Sequence, residues 1–155
     1  MSTRSEKGEE LFKDGYNCAQ AVVMAFDDIL PAESRNLAGL ASPFGGGMGL
    51  LREVCGAFSG SLIVLGLLRG AADPKDRTGR RVVYEDVRRL ADRFVKEHGS
   101  LICAELLGLR ATPENVHVCK SPCSQMVAGA ILAMEDVLEE ETDANSAGER
   151  CDGVR

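Results

Sequence analysis

Tryptophan is absent from the 155-residue chain, and aromatic residues make up only 5% of it. Acidic residues outnumber basic ones, which gives a formal net charge of −6 at pH 7. Proteins that bind nucleic acids usually present a basic surface, and many of them stack bases on aromatic rings. Both shortages therefore argue against a nucleic-acid partner.

A long apolar run is also missing. The most apolar stretch without charge, residues 54–68, has about 15 residues, whereas a membrane-spanning helix needs about 20. The first residues, Met1–Lys7, contain no apolar signal region. We therefore expect no membrane insertion and a cytoplasmic location, and we interpret Glu53–Gly70 as a central helix buried on most sides.

Several signatures of metal and catalytic sites are absent as well. The sequence has no C-x-x-C pair, which excludes the common zinc-ribbon and thioredoxin patterns, and no C-x-x-C-H, which excludes covalently attached haem. No Ser-His-Asp set, carboxylate pair or phosphate-binding loop stands out. The glycine-rich residues 42–49 are predicted to form a loop that lets backbone approach another group closely.

Helical signals run along the chain, and no convincing strand appears. Two capping boxes, Thr3 with Glu6 and Asn17 with Gln20, predict helices that begin at Arg4 and at Cys18. Further helices are predicted over residues 78–98, 100–108 and 121–141, the last two capped by Ser100 and Ser121. We predict an all-α fold, a compact helical bundle of about five to six helices around the central apolar helix. Residues 1–141 would form a single domain and residues 142–155 a polar flexible tail.

The sequence contains six cysteines, and four of them fall at predicted helix starts. These four are Cys18, Cys55, Cys103 and Cys123. The unpaired N–H groups and the helix dipole at such positions favour negative charge and lower the pKa of a thiol. If the helix starts converge, they form a site for thiolates that bind a metal or an iron–sulfur cluster, or for a reactive dithiol.

Other side chains are weaker candidates. Cys119 lies in the predicted loop before the last helix and could still reach the site as a ligand, whereas Cys151 belongs to the tail. The two histidines, His98 and His117, are possible ligands, but a lone histidine is more often a surface or core residue. The carboxylates Glu53 and Glu105 stand near cysteines and could transfer protons, although a surface or capping role is more common.

Glycines interrupt the central helix, and two of them share a ridge. Gly56, Gly60 and Val64 are spaced four residues apart, so they form a shallow groove against which another helix could lie closely. Tight packing within the chain is one interpretation of this groove. A homodimer that packs through it is another.

Four motifs in order resemble one known family. They are N-C-A-Q-A from Asn17, C-G-A-F-S-G from Cys55, C-x-E-L-L-G from Cys103, and Cys123. This set is similar to the C_GCAxxG_C_C family of redox-active proteins, over roughly residues 11–138. The resemblance implies that Cys18, Cys55, Cys103 and Cys123 are the family's characteristic cysteines. A similar module occurs in split-Soret cytochrome c, where it is associated with an iron–sulfur centre.

Three hypotheses for function follow. The first is a redox-active protein in which Cys18, Cys55, Cys103 and Cys123, with Cys119 as a substitute, bind an iron–sulfur cluster or other metal. It would serve electron transfer to a redox partner protein or redox sensing, and would not necessarily be an enzyme. The second is a metal-free thiol–disulfide oxidoreductase or thiol sensor with Cys55, Cys103 and Cys123 as catalytic residues. The third is a non-catalytic helical interaction module.

Overall fold

The computed structural model describes residues 2–31, 36–109 and 120–147, with the side chains of the last range described from 123 to 140. Five helices of eight or more residues are described, and short helical turns lie between them. The elements are α1 (Thr3–Lys13), α2 (Cys18–Ala25), α3 (Leu37–Ala41), a 3-10 turn (Ser42–Phe44), α4 (Gly45–Met48), α5 (Gly56–Arg69), α6 (Arg77–His98), α7 (Cys103–Leu106) and α8 (Lys120–Ala147). The all-α prediction is confirmed.

Side-chain caps fix the first two helix starts. Asn17 caps α2: its side-chain oxygen accepts from the Gln20 N–H at 3.0 Å, and the Gln20 side chain accepts from the Asn17 N–H at 3.0 Å. This capping box is the one that the sequence predicts. In α1 the prediction is wrong by one residue, because Ser2 is the N-cap and Ser5 completes the box.

The central helix is α5, and α2 fills its glycine groove. A Cβ atom on Gly60 would lie 2.8 Å from the Ala19 carbonyl oxygen and 3.0 Å from the Val22 Cβ, so the absence of a side chain is what lets α2 lie this close. The predicted groove is therefore confirmed, but it is used within the chain. A homodimer would need a different surface.

Helices α6 and α8 close the bundle around a buried charge. Asp86 of α6 is fully buried and is paired with Arg69 of α5 at 3.0 Å and with Arg89. The Arg69 guanidinium also donates to the Leu138 carbonyl of α8 at 3.1 Å. Through Arg69, this network joins α5 to both α6 and α8.

The helix boundaries differ from prediction at both long helices. Helix α6 begins at Arg77 under an Asp76 cap and ends at His98, followed by the C-cap Gly99, whose φ of +92° suits glycine. The Gly99 stop was predicted. Helix α8 begins one residue before the predicted Ser121 and continues past the predicted boundary at 141 to Ala147. The division into a domain and a tail stays a prediction.

Two segments beside α5 depart from the sequence interpretation. Within residues 42–49, which were predicted as a loop, Ser42–Phe44 form the 3-10 turn and Gly45–Met48 form the short α4, which Gly46 and Gly47 interrupt with non-helical φ of +65° and +70°. The predicted helix over 100–108 shortens to Cys103–Leu106, because Ile102 pairs with Val54 in an isolated antiparallel bridge. Ser100 is therefore not its cap.

In the ranges that the structure describes, no helix is both long and apolar enough to cross a lipid bilayer.

Candidate functional site

The four cysteines predicted at helix starts all lie at helix starts. Cys18 is the first residue of α2, Cys55 is the N-cap of α5, and Cys103 is the first residue of α7. Cys123 lies in the first turn of α8. Four separate segments of the chain thus each contribute one sulfur atom.

The bridge between Val54 and Ile102 brings two of these segments together. The Cys55 N–H donates to the Leu101 carbonyl at 2.7 Å, and the Cys103 N–H donates to the Glu53 carbonyl at 2.6 Å. Side chains alternate across an extended pair, so Cys55 and Cys103, each one residue beyond the bridge, share the face opposite to it. The bridge therefore fixes two cysteines relative to each other through the backbone.

Two glycines let neighbouring parts of the chain lie in contact with the cysteines. A Cβ on Gly56 would collide with the Cys18 Sγ and would lie 2.7 Å from the Phe44 carbonyl oxygen. A Cβ on Gly47, where φ is +70°, would lie 2.6 Å from the Cys103 Cβ. Glycine is required at both positions because any side chain would displace a cysteine or the backbone beside it.

All four cysteines line one cavity of about 310 Å³. The remaining wall is largely apolar, with Asn17 and Arg52 as polar members. The apolar contributors are Phe12, Leu50, Leu106, Leu107 and Met126. The thiols Cys18, Cys55 and Cys103 are buried, and Cys123 is half-buried. We call this cavity the cysteine pocket.

Burial dominates the electrostatics of two of these thiols. Loss of water raises the pKa of Cys55 to about 12, and the neighbouring sulfurs of Cys18 and Cys103 add to the rise. Burial also raises the pKa of Cys18, and the backbone N–H groups of Gly46 and of the start of α2 offset this rise only in part. The prediction that helix starts lower the pKa is therefore wrong for Cys18 and Cys55, because desolvation outweighs the N–H groups.

Arg52 is a member of the pocket that the sequence analysis missed. Its residue is 7% exposed, and its Nη1 lies 3.8 Å from the Cys103 Sγ. A guanidinium close to a sulfur atom favours negative charge on that sulfur. No motif signalled this residue, since the contact joins two segments that lie 51 residues apart in the sequence.

The described side chains do not prearrange a single-ion site. Within residues 2–31, 36–109 and the described part of α8, no three histidine, cysteine, aspartate or glutamate side chains are grouped closely enough to hold one metal ion. The four cysteines surround a common cavity instead of meeting at one point.

A protein-family model matches residues 16–137, which is most of the chain. Its description is "Putative redox-active protein (C_GCAxxG_C_C)". The chain belongs to this family. Separate searches of the curated proteins and of the solved structures found no match to the chain. The matched range contains Cys18, Cys55, Cys103 and Cys123, and family membership indicates a redox-active protein.

The C_GCAxxG_C_C label orders one pair of residues differently from this chain. The label writes glycine before cysteine, whereas the chain has Cys55 before Gly56, and both then have alanine and a closing glycine, here Gly60. In the structure this order puts the sulfur at the N-cap of α5 and the glycine against Cys18. Cys55 thus contributes a sulfur to the pocket, and Gly56, which has no side chain, leaves room for the Cys18 sulfur.

The other candidates lie away from the cysteine pocket or outside the described residues. His98 is buried at the end of α6, where its ring packs 4.6 Å from that of Phe94, and it does not line the pocket. Glu53 and Glu105 are exposed and do not line the pocket either, and the Glu105 carboxylate accepts from the Ser100 hydroxyl. The last three candidates, Cys119, His117 and Cys151, lie outside the described residues.

Proposed function

We propose that this C_GCAxxG_C_C protein uses the cysteine pocket to bind an iron–sulfur cluster for electron transfer or redox sensing. The observation that carries the proposal is that four cysteines from four helix starts line one cavity of about 310 Å³. Four cysteine thiolates are the ligand set of [2Fe–2S] and [4Fe–4S] clusters. The four cysteines of the pocket therefore match the ligands that an iron–sulfur cluster requires.

The arrangement of the cysteines favours a cluster over a single metal ion. A structural zinc ion needs four ligands around one point at about 2.3 Å from each sulfur. The described cysteines instead lie around a cavity, without three of them grouped for one ion. A group of several atoms would reach all four sulfurs from the middle of that space.

The residues of the pocket have definable roles in such a site. Cys18, Cys55, Cys103 and Cys123 would be the ligands, and a bound cluster would supply one-electron chemistry. Burial raises the pKa values of the Cys18 and Cys55 thiols. Both thiols would therefore release their protons to solvent only when their sulfurs bind metal. The apolar wall would keep water from the site, and the N–H groups at the helix starts would stabilise its negative charge.

A metal-free dithiol is the second candidate, and the backbone bridge supports it. The bridge holds Cys55 and Cys103 on one face of an extended pair. Their two thiols would become one disulfide with the release of two protons and two electrons to a disulfide-bearing partner protein. The raised pKa of Cys55 weighs against it as the attacking thiol, which leaves Cys103 for that role.

The test is to purify the protein without oxygen, reconstitute it with iron and sulfide, and assay both per chain. Wild-type protein and the C151S variant, whose cysteine lies outside the matched range, should bind equal amounts. Each of C18S, C55S, C103S and C123S should bind less or lose the cluster within minutes in air. Wild-type protein that binds neither iron nor sulfide would refute the proposal. Reversible loss of two thiols on oxidation would then support the dithiol.

A further inference from the structure

Arg52 brings a positive charge into the wall of the cysteine pocket. Among the described residues that line the pocket, it is the one whose side chain is charged at neutral pH when the thiols are protonated. Arg52 as a whole residue is only 7% exposed. A guanidinium in the wall of a pocket that four cysteines also line favours negative charge on the pocket's contents.

Hydrogen bonds on both sides hold the main chain of Arg52 in place. The Arg52 N–H donates to the Gly46 carbonyl at 3.3 Å, and the Arg52 carbonyl accepts from the Ala104 N–H at 3.0 Å. Arg52 itself has a φ of +62°, which non-glycine residues seldom adopt. The residue is thus fixed between α4 and α7, next to the first residue of α7, Cys103. Its position is a consequence of the same folding that brings Cys103 to the pocket.

The guanidinium of Arg52 contacts the sulfur of Cys103. The Arg52 Nη1 lies 3.8 Å from the Cys103 Sγ, a distance at which a charged N–H group donates to sulfur. Charge and hydrogen bonds to the ligand sulfurs are among the factors that set the reduction potential of an iron–sulfur site. One electron from a reduced partner protein would add one unit of negative charge and change no covalent bond. A cation at Cys103 stabilises the more negative, reduced state more than the oxidised state.

We propose that Arg52 is a positioning residue that raises the reduction potential of the site by donating to the Cys103 sulfur. This inference rests on the proposed function, because it requires a thiolate-bound redox group in the pocket. It goes beyond that function by naming the residue that sets the potential and the sulfur through which it acts.

The test is a mediated redox titration of reconstituted wild-type protein and of R52Q, R52K and R81Q. Arg81 is exposed, outside the pocket and paired with Glu85 at 3.9 Å, so R81Q removes the same charge from the surface. In R52Q the equilibrium constant for reduction should fall about tenfold, which is about 59 mV for a one-electron couple. R52K keeps the charge without the guanidinium geometry and should fall in between. R81Q should change the constant less than twofold.

The results of this titration separate the inference about Arg52 from the proposed function. Equal potentials for R52Q and R81Q would overturn the inference and leave the proposed function standing. If R52Q does not fold or take up iron, the neutral variant R52M decides, and a wild-type potential in R52M would also overturn the inference. A drop in unfolding stability of R52Q without a change of potential would mean that Arg52 is structural only. Wild-type protein without iron and sulfide would overturn the proposed function, and this inference with it.

Discussion

Two glycines of the central helix provide a matched pair for testing the packing. Gly60 and Gly66 both lie in α5, but a Cβ on Gly60 would lie 2.8 Å from the Ala19 carbonyl oxygen and 3.0 Å from the Val22 Cβ. A Cβ on Gly66 would meet no atom within 4 Å, and Gly66 is exposed. The same substitution by alanine therefore probes the groove at one position and helix propensity alone at the other.

The magnitudes follow from these surroundings. Replacing glycine by alanine in a helix interior favours folding by about 1 kcal/mol, and this gain applies at both positions. At Gly60 the added methyl group must displace the backbone of α2, and such overpacking costs about 1–3 kcal/mol. We expect G66A to raise the free energy of unfolding by up to about 1 kcal/mol. G60A should lower it by up to about 2 kcal/mol, because the overpacking exceeds the propensity gain.

The assay is urea unfolding of reduced, metal-free wild-type, G60A and G66A protein, followed by far-UV circular dichroism. The midpoints should separate in the order G66A, wild type, G60A, with equal slopes, and the two variants should differ by about 1–3 kcal/mol. Equal midpoints for G60A and G66A would refute the packing of α2 into the glycine groove. A stabilised G60A would refute it more strongly, since only an open position tolerates the added methyl group.

Three further predictions concern charges, pH and thiol reactivity. D86A should lower the free energy of unfolding by about 3 kcal/mol, because it removes the carboxylate that Arg69 and Arg89 share, and a urea midpoint near the wild-type value would contradict this. Burial lowers the pKa of His98 despite Glu97 nearby, so the unfolded chain takes up the proton more readily and stability should fall as pH drops below about 6.5. Urea unfolding at pH 5 and 7.5 should show a smaller difference in H98Q, and an unchanged difference would exclude His98 as the cause. In metal-free protein Cys55, with a pKa of about 12, should resist iodoacetamide at pH 8 and react after denaturation, as measured by peptide mass spectrometry, whereas rapid labelling of the native protein would disprove its burial.

Local signals in the sequence predicted local structure well. The Asn17 and Gln20 capping box and the Gly99 stop each depend on groups within one turn of helix, and the structure has both. The placement of Cys18 at a helix start follows from the same capping box. These predictions succeed because the hydrogen bonds that decide them are made between neighbours in sequence.

Predictions that depend on distant segments were less successful. Ser100 resembles a helix cap, but the pairing of Ile102 with Val54 keeps that segment extended up to Cys103. The pKa of Cys55 rises because the folded chain removes water from it, an effect that a helix-start pattern cannot reveal. Arg52 stands just before the segment Glu53–Gly70 in the sequence, and only the folded chain puts it beside the Cys103 sulfur.

The most direct test of the central claim is a crystal structure of the anaerobically reconstituted protein with anomalous diffraction data collected at the iron absorption edge. The account predicts anomalous density for more than one iron atom inside the cysteine pocket, bonded to Cys18, Cys55, Cys103 and Cys123. Iron bound elsewhere, or a pocket whose four sulfurs carry no metal in protein that contains iron, would contradict it.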